Sequence, residues 1–212
     1  MNPKEIYYET TANTIIENLK KRRMEGYYCK TVKEAVETAC SFLTPNSTVT
    51  FGGSQTLEET GLLPLLREKK DIYLLDRAAA SGPAEVQEIY AKAFTADTYF
   101  MSTNAITEDG QLVNLDGKGN RVAALCYGPD QVLVIAGMNK LVRTLDDAIS
   151  RTRNTAAPIN AQRFTGDTPC RQLGTCGDCR KPDCICNQLV ITRGSMIPGR
   201  VKVILVGESL GF

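Results

Sequence analysis

Apolar positions recur at helical spacing at the start of the chain and in short alternating runs thereafter. Ile15, Ile16 and Leu19 share one face and predict a helix over Asn13–Met24. Thr31, followed by Glu34, forms a capping box. It opens a second helix with Val32, Ala35, Val36, Ala39, Cys40 and Leu43 on its apolar face and Pro45 after its end. These two helices fill residues 1–45. Seven short apolar runs then read as strands: Thr48–Phe51, Ile72–Leu75, Thr98–Met101, Leu112–Val113, Val122–Leu125, Val132–Ile135 and Val201–Val206. Helical signals fall between them. Thr56–Glu59 is a capping box directly after Gly52, Gly53 and Ser54, and Pro83 sits in the first turn of a helix carrying Val86, Ile89 and Tyr90. Leu141, Val142, Leu145, Ala148 and Ile149 make a further helical stripe. Strand–helix alternation with short connections predicts an α/β fold with a mostly parallel sheet. A cysteine-rich loop over residues 167–187 precedes the last strand. At 212 residues the chain suits one domain, 1–212, with this loop as a small appendage.

Charge and composition narrow the chemistry. Lys and Arg number 25 against 24 for Asp and Glu, so a nucleic-acid or anionic-membrane partner is not expected. Residues 151–212 hold nine Lys/Arg and four Asp/Glu, making the last third the cationic part. The longest apolar stretch, Val132–Ala136, is far too short for a bilayer, and the polar start lacks the apolar core of a signal peptide. A cytoplasmic location is expected. The chain has no His, which removes Ser–His and Cys–His pairs and leaves proton transfer to carboxylate, Lys, Cys, Tyr or a cofactor.

Three polar segments are candidate sites. Gly52, Gly53, Ser54, Gln55 and Thr56 join a strand to a helix, where glycines allow close approach and free amides suit an anion. Such turns also use Gly and Ser/Thr for structure alone. The run 102–121 gathers Asn104, Thr107, Glu108, Asp109, Asn114, Asp116, Lys118, Asn120 and Arg121. Glu108 and Asp116 are its candidate bases or nucleophiles. The plain alternative is two hairpin turns, at Asp109-Gly110 and at Asp116–Gly119. Gly137, Asn139 and Lys140 link a strand to the next helix, with Asn139 as a cap and Lys140 projecting beside the first loop to stabilise negative charge.

Five of the eight cysteines, Cys170, Cys176, Cys179, Cys184 and Cys186, fall within 17 residues. Without a signal peptide, this clustering reads as metal binding rather than a disulfide framework. Four thiolates hold zinc or an iron–sulfur cluster equally well. The competing readings are free thiols or a disulfide formed on oxidation. Four such ligands are expected to converge on one metal-sized point, with Arg171, Arg180 and Lys181 softening their charge. Cys29, Cys40 and Cys126 lie in apolar contexts and read as core.

The motifs Gly52–Gly61, Ser102–Thr107, Leu112–Arg121, Gly137–Lys140 and Arg200–Phe212 resemble the lactate-utilisation (LUD) domain family, in order and spacing, from about Lys4 to Phe212. The resemblance implies a Rossmann-like sheet similar to the sugar-phosphate isomerase and CoA-transferase superfamily, with ligands at strand C-termini. It also implies a part in oxidising L-lactate to pyruvate with iron–sulfur partner proteins. By analogy, Gly52–Thr56 and Glu108, Asp109 or Asp116 stand where that superfamily has its phosphate loop and its acidic loop. Counterparts of Cys170, Cys176, Cys179 and Cys186 occur in similar chains, leaving Cys184 as the extra thiol.

Three functions remain open at this point. The first is a lactate-utilisation component binding a small anion. The second is a self-sufficient enzyme on a sugar phosphate or acyl-CoA, using Glu108 or Asp116 with Lys140. The third is a metal-binding assembly module without catalysis. A homo-oligomer is left open.

Overall fold

A computed structural model describes residues 2–212. Helix α1 spans Pro3–Lys21 and starts ten residues before the expected point. Asn2 and Glu5 form a reciprocal capping box with Pro3 in the first turn, a start signal independent of the apolar stripe. Strand β1, Glu25–Cys29, separates α1 from α2, Val32–Ser41, so the first 45 residues are not helical throughout. Thr31 caps α2 as the sequence predicts.

Strand β2 (Ser47–Phe51) leads into the short helix α3 (Gln55–Glu59) and then α4 (Leu62–Glu68). The cap of α3 is Ser54, whose hydroxyl accepts the Leu57 amide, not Thr56. Strand β3 (Ile72–Leu75), helix α5 (Pro83–Lys92) and strand β4 (Thr98–Met101) follow. Strands β5 (Ala105–Thr107) and β6 (Leu112–Asp116) form the hairpin that Asp109-Gly110 signals. The second expected hairpin is a strand-to-helix turn. Residues 122–125, expected as a strand, lie in helix α6, Asn120–Cys126. Gly119, at φ +83°, turns the chain into it, and Asp116 Oδ2 accepts the Val122 amide. Four apolar residues in a row fit a buried strand and a buried helix turn equally, so periodicity had no power there.

Strand β7 (Gln131–Gly137) is followed by a single turn, Met138–Lys140, and strand β8, Leu141–Val142. The expected helical stripe therefore begins later. Helix α7, Leu145–Arg151, is opened by a Thr144/Asp147 capping box. A π-helical segment, Thr152–Ala156, joins it to α8, Ala157–Ala161. Helix α9 (Pro169–Leu173) lies in the cysteine loop, strand β9 (Gln188–Thr192) closes that loop, and strand β10 is Val201–Val206. The loop is thus followed by two strands, not one.

The main sheet runs β1-β10-β7-β4-β2-β3, with every pairing parallel. Alternation along its strands feeds two cores. Val132, Val134, Val203 and Leu205 face α1 and α6, while Leu133, Ile135, Ile204 and Val206 face α2, α3 and α4. Both faces are covered, as a parallel sheet requires. A second sheet, β8-β5-β6-β9, sits beside the strand ends of the first. Among the three cysteines read as core, Cys29 is buried, Cys40 half-buried and Cys126 exposed at the end of α6. No helix among the described residues is long and apolar enough to cross a membrane.

Candidate functional site

The sheet order reverses between β2 and β4: the chain runs outward from β2 to β3, then returns to the other side of β2. Ligands of open parallel sheets bind at such a switch point, beyond the strand C-termini. A crevice of about 640 Å³ lies there. It is lined by the loop after β2 (Gly53–Thr56), the loop after β4 (Ser102–Asn104), residues 115–118 with Asn120 and Arg121, and Lys140. Arg77, Arg163 and Phe212 complete it, with residues 182–185 and Asn187 of the cysteine loop. Five cationic side chains, those of Arg77, Lys118, Arg121, Lys140 and Arg163, face two carboxylates, Asp116 and Asp183.

Lys140 is buried at the crevice floor. Its Nζ donates to Thr56 Oγ1 at 2.7 Å and to Ser102 Oγ at 2.9 Å. Among the described residues no carboxylate forms an ion pair with it; Glu59 supports its charge from farther away. Burial, reinforced by the positive charges of Arg151 and Arg121, lowers its pKa to about 7.

Arg121 is the framework of the site. Its Nη1 donates to the Ser102 carbonyl and to Asn114 Oδ1, each at 3.0 Å. Its Nη2 donates to Asn104 Oδ1 at 3.1 Å and to the Leu115 carbonyl at 2.9 Å. Asp116 lies 3.6 Å from its Nε. Burial opposes its charge and Asp116 supports it. One guanidinium thus ties the β4 loop to β6 and α6. Asn114 is fully buried behind it, and its Nδ2 has no partner.

The glycines answer to the protein itself. A Cβ on Gly52 would stand 2.8 Å from the Tyr99 hydroxyl and 2.9 Å from Arg121 Cγ. One on Gly53 would meet the Arg77 guanidinium. Gly137 faces the Glu208 carbonyl and the Leu210 amide, each 2.6 Å from where a Cβ would be. Asn139 does not cap a helix; its Oδ1 accepts the Leu210 amide at 3.0 Å and fastens the segment after β10.

Several sequence candidates therefore meet in the crevice: Gly53, Ser54, Gln55, Thr56, Asn104, Asp116, Asn120, Arg121 and Lys140. Glu108, Asp109 and Thr107 do not line it. They form the β5–β6 hairpin tip, where Asp109 pairs with Arg22 at 2.5 Å and is hydrogen-bonded by the Thr107 hydroxyl. Of Glu108, Asp109 and Asp116, only Asp116 lines the crevice with Lys140. Asp116 itself is engaged by the Gly119 and Val122 amides and by Arg121. Arg77, Arg163 and Phe212 were missed, because only the fold brings them to the crevice.

Beside the crevice, Cys170, Cys176, Cys179, Cys184 and Cys186 line one chamber of about 230 Å³. All five are free thiols. Among the described residues, no group of three or more Cys, Asp or Glu side chains is placed to hold a metal ion. The cation at the chamber is not an expected one. Arg153, on the π-helical segment, places Nη2 3.9 Å from Cys176 Sγ and 2.5 Å from Asp178. Lys181 instead pairs with Asp167 at 2.7 Å, and Arg171 donates to the Gly166 carbonyl at 2.5 Å. Leu115, Cys184, Ile185 and Asn187 line both the chamber and the crevice.

A family model described as LUD domain matches residues 12–206. A search of curated proteins finds no match. Among solved structures, the chain is similar to a duf162 family protein from Deinococcus radiodurans, with a TM-score of 0.54 and 14% identity, covering 94% of this chain and 98% of that one. Partial similarities reach eIF2B delta from Chaetomium thermophilum (TM-score 0.38, 18% identity, 57% of this chain and 54% of that one). They also reach ribose 5-phosphate isomerase A from Methanocaldococcus jannaschii (TM-score 0.36, 16% identity, 54% of this chain and 55% of that one).

Proposed function

Since the chain belongs to the LUD domain family, we propose that it takes part in lactate utilisation by binding a small carboxylate anion in the crevice, against Lys140. The observation that carries this reading is Lys140 itself, a buried amine held by two hydroxyls, whose charge is opposed by burial, Arg151 and Arg121 and supported at longer range by Glu59. Burying a charge without a directly paired counter-ion is costly, and an entering anion supplies one. Arg77, Lys118 and Arg163 add positive charge around the opening. The Arg121 guanidinium is committed to protein oxygens, so its part is to hold the floor in shape. On this reading the two electrons released when L-lactate becomes pyruvate leave through iron–sulfur partner proteins, the two protons pass to water, and this chain holds the anion.

The experiment is calorimetric titration with L-lactate, pyruvate and inorganic phosphate, on the wild type and on Lys140→Met. Carboxylate binding weakened at least tenfold in a folded variant, about 1.4 kcal/mol, supports the reading. Equal affinity in both proteins, or binding of none of the three anions, sinks it.

A second reading rests on the lowered pKa of Lys140, about 7. A lysine near that value is divided between amine and ammonium at neutral pH and suits proton transfer. Lys140 would then be the base of a self-sufficient enzyme acting on a sugar phosphate or acyl-CoA, with Asp116 held by Arg121 and the α6 amides. Turnover by the isolated chain distinguishes this reading from the first.

A further inference from the structure

We propose that the cysteine chamber is the seat of a polynuclear iron–sulfur cluster, held by four of the five cysteines that line it, Cys170, Cys176, Cys179, Cys184 and Cys186. This inference does not rest on the identity of the crevice ligand.

Three observations carry it. The first is scale. A single zinc ion needs sulfurs about 2.3 Å from the metal, which brings the thiolates to about 3.8 Å from one another. No such convergence occurs among the described residues. Instead the thiols surround about 230 Å³ of open space, whereas one water occupies about 30 Å³ in the liquid. Four cysteines spread around a chamber match the ligand set of a cluster, whose own iron and sulfide bridge the gap.

The second is construction. The chamber is walled by Leu115, Ala157, Pro158, Ile185 and Leu189, side chains that exclude water without competing as ligands. Its walls come from four parts of the chain: β6, the π-helical and α8 segment, the cysteine loop, and β9. Crosslinks fix the loop there. Gln162 donates to the Cys170 carbonyl at 3.0 Å, the Asn187 amide to the Asp116 carbonyl at 2.9 Å, and Lys181 pairs with Asp167 at 2.7 Å. The thiols are gathered by the fold before anything binds between them.

The third is charge and position. Four thiolates around a cluster leave net negative charge, and Arg153, paired with Asp178, also donates toward Cys176. Cys184 lines the crevice as well as the chamber, in hydrogen-bond contact with Cys179 and Cys186. A cluster in the chamber would lie one residue's thickness from the crevice.

The test is anaerobic purification of the full chain, with iron and acid-labile sulfide analysis, visible absorption and electron paramagnetic resonance after reduction. Reconstitution with ferrous iron and sulfide follows if the protein emerges empty. The expected result is iron and sulfide in equal amounts, up to about four of each per chain. At least one of Cys176→Ser and Cys186→Ser should lose at least three quarters of both, while the exposed Cys126→Ser retains them. Circular dichroism of each variant separates ligand loss from unfolding, and a variant that unfolds is replaced by Cys170→Ser or Cys179→Ser. One zinc per chain with no sulfide overturns the proposal. So does a chain that takes up neither metal on reconstitution, or a cluster that survives Cys176→Ser and Cys186→Ser alike. Failure of lactate to bind leaves these readouts unchanged, so the two readings fail separately.

Discussion

Thr56 and Lys140 lie 84 residues apart in sequence and meet at 2.7 Å, hydroxyl to amine, at the bottom of the crevice. The contact joins the turn after β2 to the turn after β7. It explains why Thr56 is not the cap of α3: its oxygen is needed by Lys140, and Ser54 caps the helix instead.

The charge of Lys140 makes anion binding depend on pH. With its pKa at about 7 in the free protein, L-lactate affinity should fall as pH rises from 6 to 8. Lys140→Met should bind weakly and without that dependence. Titration calorimetry at three pH values checks both statements. Wild-type affinity unchanged over this range would separate the binding from the ammonium.

The same group gives stability a definite slope. Its pKa falls from 10.5 to about 7 on folding, so between those values the unfolded chain binds more protons. Stability due to Lys140 therefore rises with pH across that window, by up to about 1.4 kcal/mol per unit. Urea unfolding of wild type and Lys140→Met at pH 7, 8 and 9 isolates the term, since other groups cancel. The difference between the two should move in favour of the wild type as pH rises.

Arg121→Lys should be far from conservative. The guanidinium serves four oxygens besides Asp116, and an ammonium has neither the fork nor the reach. Leaving buried acceptors without donors should cost about 2–4 kcal/mol, read as a lower urea midpoint. Crevice binding should weaken as well. A midpoint within error of wild type would show that the network contributes little.

Arg200 plays a comparable part away from the crevice. It is buried and donates to the carbonyls of Ala124, Leu125 and Pro129 at 3.0, 2.8 and 2.8 Å, closing the C-terminal end of α6. Arg200→Met keeps the bulk and removes the donors. The expected loss is about 2–4 kcal/mol, with faster amide exchange in α6. Protection unchanged throughout α6 would count against this role.

Gly137→Ala should release the segment after β10. The new methyl would stand 2.6 Å from backbone atoms of Glu208 and Leu210, neither at the end of a flexible side chain. Overpacking of this kind typically costs about 1–3 kcal/mol. Proteolysis after residue 206 should accelerate more than global unfolding does, and equal rates would refute the local effect.

The fold was legible where the apolar run is continuous. β7 and β10 announce themselves through Val132–Ile135 and Val201–Val206, because both faces of those strands are buried. Strand β1 did not, since Glu-Gly-Tyr-Tyr-Cys carries no alternation and gains its place only by pairing with β10. The short β5 and β9 were hidden for the same reason: their partners are tertiary. At the site, Lys140 was legible from its place just after a strand. Arg153 was not, because no local pattern relates it to Cys176, 23 residues later.

Strand β10 lies between β1 and β7, pairing Glu25 with Lys202 on one side and Val132 with Val201 on the other. During synthesis on the ribosome, β7 therefore waits with an open edge while more than 60 further residues are added. β1 waits through most of the chain with no neighbour at all. The two unsatisfied edges flank a gap one strand wide, so the nascent protein exposes paired templates for any other extended segment until its own arrives. Newly made chains stalled before residue 201 should consequently be natural clients of chaperones, while the finished chain, with that gap closed, should not.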